Sequence, residues 1–259
     1  MQTVMFHSTI FGPIHSRRLG TSLGVNLTPN DGKICSFDCL YCEAGFNAQG
    51  PGTTGMATLE NTLALLEAKL SDMRQKGENL DVITFSGNGE PTLHPQFEDV
   101  IDGTIALRDK YFPAAKVSVL TNATRIGSES VFRALKKVDN NILKLDSAVE
   151  QTVQNLDRPN PGYNLTSTID RMAQFGRQGI IQTMFARGEH EGVKVDNTTD
   201  AEVDALIEAY RRIGPSQIMI YTIDRPSPAV HLHRIPKDEM EAIGARIQSA
   251  TGIPVQVSA

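Results

Sequence analysis

The sequence predicts an α/β protein built on a parallel sheet, a partial (β/α)6 barrel forming a single domain over residues 1–259. Seven short, β-branched, apolar runs recur along the chain, at 24–28, 81–86, 116–121, 142–147, 179–185, 217–223 and 253–257. Helical stretches sit between most of them, and strands joined by helices of ~10–20 residues need right-handed crossovers in one sheet. A closed eight-stranded barrel usually takes ~250 residues, so six units and a last short strand fit an open barrel better. Reactive groups on such a scaffold belong at the C-terminal ends of the strands, on the βα loops. Residues 1–22 read as an N-terminal extension, and residues 224–259 as a C-terminal helix and short strand.

Taken in chain order, Leu59, Leu63, Leu66, Leu70 and Met73 draw one apolar stripe on a helix that Gly77 ends. Val203, Leu206, Ile207 and Tyr210 draw another, with Thr199 and Glu202 spaced as a capping box and Gly214-Pro215 closing it. A third helix opens after Pro236 and buries Met240, Ile243 and Ile247. In ILKLDSAV, Lys144 and Asp146 stand two apart and share a face opposite Leu143 and Leu145. A Lys and an Asp on the inner face need each other or a polar ligand.

Composition narrows the function classes. An apolar content of 40% excludes disorder as the main state. No run approaches the ~18 apolar residues of a membrane span. The start, MQTVMFHSTIFGP, lacks the basic and apolar regions of a signal peptide, so a cytoplasmic location is expected. A net charge of -5 argues against a nucleic-acid binder that relies on overall charge. The 3 cysteines are an odd number, which excludes a disulfide framework and points to a reducing compartment.

Those cysteines share one short loop, KICSFDCLYCEAG, as Cys35, Cys39 and Cys42. Three soft thiolates so placed can converge on one metal centre. A structural zinc site would need a fourth ligand, such as His7, His15 or His94. An iron–sulfur cluster on three cysteines would leave one iron open to a ligand. CSFDCLYC resembles the Cys-x3-Cys-x-aromatic-Cys signature of the radical S-adenosylmethionine superfamily, with Tyr41 in the aromatic slot. FSGNGEPTLHP resembles that superfamily's glycine–glutamate motif in Gly87, Gly89 and Glu90. Glycines let backbone approach a ligand, and the carboxylate can accept from an ammonium.

The resemblance implies a radical-SAM type of partial barrel with a [4Fe–4S] cluster on Cys35, Cys39 and Cys42. It further implies S-adenosylmethionine on the open iron, with its amino group at Glu90, and a 5′-deoxyadenosyl radical that takes a substrate hydrogen. Thr121, Asn122 and Asp146 are the further cofactor contacts it suggests; Lys144 and Tyr221, which point inward near the strand ends, are the catalytic candidates. The wider pattern from GPIHSRRLG to YTIDRPSP is similar to the iron–sulfur oxidoreductases related to the wyosine-base synthase of tRNA. The archaeal tRNA enzymes of that group carry extra cysteines for a second cluster, and this chain has none to spare. The expected substrate is therefore a small molecule or peptide, with tRNA-base modification as the alternative and a non-catalytic zinc or iron–sulfur module as the other class. The electron is expected from an external donor such as flavodoxin or ferredoxin.

Substrate-side candidates pointing inward are Lys144, Gln182, Met184, Tyr221 and Asp224–Arg225, with Tyr221 or Tyr163 as an in-chain hydrogen donor. Ser16, Arg17 and Arg18 could bind an anion or form salt bridges at the barrel's base. His231 and His233 read as surface residues.

Overall fold

The computed structural model describes residues 4–16, 19–225 and 227–259, with Ser16 described by its backbone alone. Strands β1 (Ile10–Ser16), β2 (Gly20–Val25), β3 (Val82–Phe85), β4 (Lys116–Thr121), β5 (Asn140–Lys144) and β6 (Gly179–Phe185) follow one another across one sheet. A hairpin of β7 (Arg187–His190) and β8 (Val193–Asp196) interrupts the series, which resumes with β9 (Gln217–Thr222). After β10 (Leu232–His233), which joins the hairpin, β11 (Val255–Ser258) completes the main sheet in the order β1-β2-β3-β4-β5-β6-β9-β11. Every neighbouring pair from β2 to β11 is parallel; only β1 runs antiparallel, against β2. The six expected strand–helix strands and the seventh short strand are thus present in one open sheet.

Helices α1 (Leu59–Gln75), α2 (Phe97–Tyr111), α3 (Glu129–Lys137), α4 (Glu150–Leu156), α5 (Leu165–Ala173), α6 (Asp200–Ile213) and α7 (Lys237–Thr251) form the connections. Leu23, Val25, Ile83, Phe85, Val117, Val119, Leu143, Ile181 and Ile220 face them in the main core, packed with Leu66, Leu70, Met73, Leu206 and Ile243. Each such side chain contributes about 1.5–3 kcal/mol by leaving water. The alternate residues point to the sheet's other face, the lumen. There Ile142, Ile180 and Met219 form an apolar floor, and Ser22 pairs with Thr84 at 2.8 Å.

Several expectations shift. The extension is not merely extended: residues 10–16 pair as β1. The first parallel strand runs Gly20–Val25 rather than 24–28, because Asn26 leaves the ladder to bond Thr28 and Asn88. The strand expected over 142–147 ends at Lys144, since Asp146 turns its carboxylate to the Met184 N–H at 2.9 Å. The capping box on α6 is only half formed. Thr199 accepts from the Glu202 N–H at 3.4 Å, but the Glu202 side chain instead takes hydroxyl hydrogen bonds from Ser147 and Thr152, both at 2.5 Å. Arg17, Arg18 and the Ser16 side chain, read as an anion site or base cap, lie outside the described residues, as does Pro226.

Candidate active site

The loop after β2 is held in place on two sides. Ile34 pairs with Gly89 in an isolated parallel bridge, and the Glu90 N–H donates to the Ile34 carbonyl at 3.0 Å. A Cβ at Gly89 would collide with that carbonyl, and one at Gly87 with the Asn26 side chain. The glycines therefore make room for neighbouring protein, not for a ligand alone. On the other side Phe37 bridges Pro159, and the Leu40 N–H donates to Leu156 at 2.9 Å. The Asn47 amide, which sequence reasoning missed, bonds the Phe37 carbonyl at 3.1 Å.

Lys33 was also missed, because a lysine beside cysteines carries no motif of its own. Its chain is buried, and its ammonium donates to the Gly45 carbonyl at 2.7 Å and to Asp38 at 3.3 Å. Burial works against its charge, yet Cys42, Cys35, Cys39 and Asp38 outweigh it and raise its pKa. Burial pushes the Cys35 thiol up to about 12, with the Glu90 charge adding to it, and raises Cys39 as well. Thiolates here need cationic partners, which cluster irons supply.

Glu90 is 2% exposed. Its Oε1 accepts from the Thr92 N–H (3.0 Å), the Thr92 hydroxyl (2.5 Å) and the Thr121 hydroxyl (2.6 Å), and its Oε2 from the Asn122 N–H (2.7 Å). Burial raises its pKa, and these four donors oppose the rise. The carboxylate thus fixes the end of β4 to the turn after β3. The Asn122 amide in turn donates to Ser36 at 3.0 Å and to the Cys35 sulfur at 3.6 Å. Thr92 and Ser36 are members of this network that no motif announced.

Across the lumen, Lys144 donates to Asp146, to the Tyr41 hydroxyl and, at 2.7 Å, to Asp157. Tyr41 also donates to Asp146. Burial opposes the Lys144 charge, but the two carboxylates prevail and raise its pKa well above the ordinary value. Burial raises Asp157 too. Asp157 went unseen in the sequence because it lies after α4, far from any motif.

A cavity of about 340 Å³ gathers these groups. Cys35, Cys39, Cys42, Tyr41, Gly87, Gly89, Glu90, Asn122, Lys144 and Tyr221 all line it. Asp146 does not; it lies behind Lys144 with its second oxygen on Met184. Tyr163 stacks edge-on against Phe37 at 5.2 Å and is likewise absent from the lining. His231 and His233 are exposed, the latter in β10.

Among the described residues, no three His, Cys, Asp or Glu side chains converge on a single-ion geometry. Zinc would need its donors at about 2.0–2.3 Å from one point. Three thiols of one loop that open onto one cavity fit a cluster, in which each binds a different iron. His94, one of the proposed fourth zinc ligands, is engaged with the Ala57 carbonyl (2.6 Å) and the Gln96 N–H (3.2 Å), and His7 with the Asn30 carbonyl (3.1 Å).

Fold and site together define a parallel α/β enzyme scaffold with a thiol-lined cavity at the C-terminal ends of its strands. A family model described as the radical SAM superfamily matches residues 30–208, and the chain belongs to that superfamily. The family works with a [4Fe–4S] cluster and S-adenosylmethionine, and the residues described above fit that pair. Among curated relatives, a protein named GTPase Obg from Brachyspira hyodysenteriae is 25% identical over 252 residues, 96% of this chain but 35% of that protein. A UPF0026 protein of Helicobacter pylori J99 is 24% identical over 235 residues, 89% of this chain and 71% of its own length. The structure of Streptococcus suis SuiB bound to S-adenosylmethionine shares the fold, with a TM-score of 0.64 at 12% identity over 91% of this chain and 50% of SuiB. This chain therefore spans about a third of the first relative and half of SuiB. No helix of the described residues is long and apolar enough to cross a membrane.

Proposed function

We propose that the protein uses Cys35, Cys39 and Cys42 to hold one [4Fe–4S] cluster, and takes a hydrogen atom from a small-molecule or peptide substrate. The observation that carries this is the single cavity shared by the three thiols, Glu90 and Asn122. When bound, the cluster and S-adenosylmethionine supply one-electron cleavage of the sulfonium to a 5′-deoxyadenosyl radical, the agent of hydrogen abstraction.

The chain's own residues prepare and protect that chemistry. Lys33 sets a buried positive charge beside the thiolates and offsets their repulsion. Glu90 keeps one lone pair of Oε2 for an incoming ammonium, the other acceptor sites being held by Thr92, Thr121 and Asn122. Tyr41, fixed through its hydroxyl by Asp146 and Lys144, walls the lumen beside the thiols. Leu40, Met184, Val195 and Leu232 pack as a second apolar cluster over this loop and keep water from it. Tyr221 stands on the neighbouring strand β9, in register with Met184 of β6, where a substrate would lie.

These 259 residues hold no cysteine beyond the three, and the reading takes the electron from a donor outside them such as flavodoxin or ferredoxin. The net charge of -5 favours a small molecule or peptide over tRNA. The test is elemental and spectroscopic. Anaerobically isolated protein should carry iron and sulfide, and S-adenosylmethionine should perturb the electron paramagnetic resonance signal of the reduced cluster. Stoichiometric zinc without iron or sulfide would contradict the reading.

A further inference from the structure

The lumen does not end at the thiol-lined cavity. A second cavity of about 270 Å³ continues it toward β1, sharing Glu43, Ser86, Leu120, Ile142, Gln182, Asp224 and Arg225 with the first. Its far wall is Phe11, Ile14 and His15 of β1, and its floor includes Leu19 and Met219. This space is smaller than the roughly 300–1,000 Å³ that encloses a drug-sized ligand, so it suits one ring or one small side chain.

Gln182 sits where the two cavities meet, in the middle of β6. In register it stands between Lys144 of β5 and Met219 of β9. It is only 7% exposed. Its main-chain carbonyl is used, accepting from the Leu145 N–H at 3.0 Å. Its side-chain amide makes no hydrogen bond to any described residue, although several polar groups around it are engaged. Ser22 and Thr84 bond each other, Lys144 is taken by Asp146 and Asp157, and Arg225 pairs with Glu43 at 2.8 Å. A primary amide that bonds no protein group and faces a cavity walled by Leu120, Ile142, Met184 and Met219 is left to whatever occupies that cavity. Such a group is kept for a ligand rather than for the fold.

We propose that Gln182 is the residue that reads the substrate, and that it reads a small, neutral amide or lactam edge. A carboxamide offers an acceptor oxygen and a donor NH2 in one plane, and an amide or lactam edge returns a donor and an acceptor side by side. Apolar walls on either side suit a flat, uncharged group. Sites that recognise a substrate through buried polar partners discriminate strongly, because an analogue lacking the match leaves those partners unpaired. The inference rests on S-adenosylmethionine occupying the thiol-lined end, which leaves the β1 end for the substrate.

The test uses the full chain and simple probes, 2-pyridone as the lactam and N-methyl-2-pyridone as the same ring without its donor. Ligand-observed NMR should show 2-pyridone binding at least tenfold more tightly than its N-methyl form, and that preference should vanish in Gln182→Met. The same variant should melt at a temperature equal to or above that of the parent, because an amide that bonds no protein group has been replaced by an apolar chain of similar length facing apolar walls. Equal binding of the two probes, unchanged preference in Gln182→Met, or a lower melting temperature would each overturn the proposal. A second titration, of S-adenosylmethionine into both proteins, separates the two readings. A parent that fails to bind it contradicts the proposed function, whereas a loss confined to Gln182→Met makes this residue a cofactor contact and overturns only the present inference.

Discussion

At the scale of single residues the site is a set of buried charges, each held by named partners, and its energetics follow from those partners. Lys144 neutralises Asp146 and Asp157 in the lumen. Lys144→Met leaves two buried carboxylates unpaired, so urea unfolding should show a loss of about 3–5 kcal/mol. The variant Lys144→Arg, which keeps the charge, should lose less. Asp31 behaves differently because it is exposed. It accepts from the N–H and hydroxyl of both Thr53 and Thr54, and these bonds hold its carboxyl below the usual range. A depressed carboxyl stabilises the fold above the unfolded value near 3.8 and loses that contribution as pH falls below it. The protection factors of the Thr53 and Thr54 amides against hydrogen exchange should therefore be smaller at pH 2 than at pH 4, and Asp31→Asn should remove the difference. The cysteines, Gly89 and Glu90 were legible in the sequence because rare residue types at fixed spacing carry the signal. Lys33, Thr92, Ser36 and Asp157 were not, since each acts through a tertiary contact that local spacing does not encode.

At the scale of elements the alternation of apolar runs was readable, and the exceptions have physical causes. Strand β1 was hidden by Gly12-Pro13, which interrupts any alternation and coincides with a register shift against β2. The β7–β8 hairpin, RGEHEGVKVD, is too charged to look like a strand because only Val195 of it is buried. The Thr199–Glu202 spacing was read correctly as a helix start, but Glu202 spends its carboxylate on Ser147 and Thr152, tying α6 to the loop after β5. Glu202→Ala should accordingly cost about 1–3 kcal/mol in chemical denaturation, more than loss of a surface cap. Gly89→Ala forces the Ile34 strand segment away from the turn after β3. It should lower iron retention after gel filtration while leaving the far-ultraviolet circular dichroism unchanged.

At the scale of the whole molecule the open sheet divides labour between its two faces. The helix-covered face supplies stability through one continuous apolar core, and the lumen face carries nearly all the polar chemistry. The fold class and the location of the site at the strand ends could be read from the sequence because both follow from periodicity and from the parallel topology it imposes. On the substrate side the sequence placed Gln182 among several inward-pointing candidates but could not single it out, because what distinguishes it is the protein partners its amide lacks. The most direct measurement is the yield of 5′-deoxyadenosine from anaerobically reconstituted protein given S-adenosylmethionine and a strong reductant. Protein loaded with four irons per chain should form it, and Cys39→Ala should form none. A fully loaded parent that forms no 5′-deoxyadenosine, or a Cys39→Ala variant that forms as much as the parent, would contradict the proposed function.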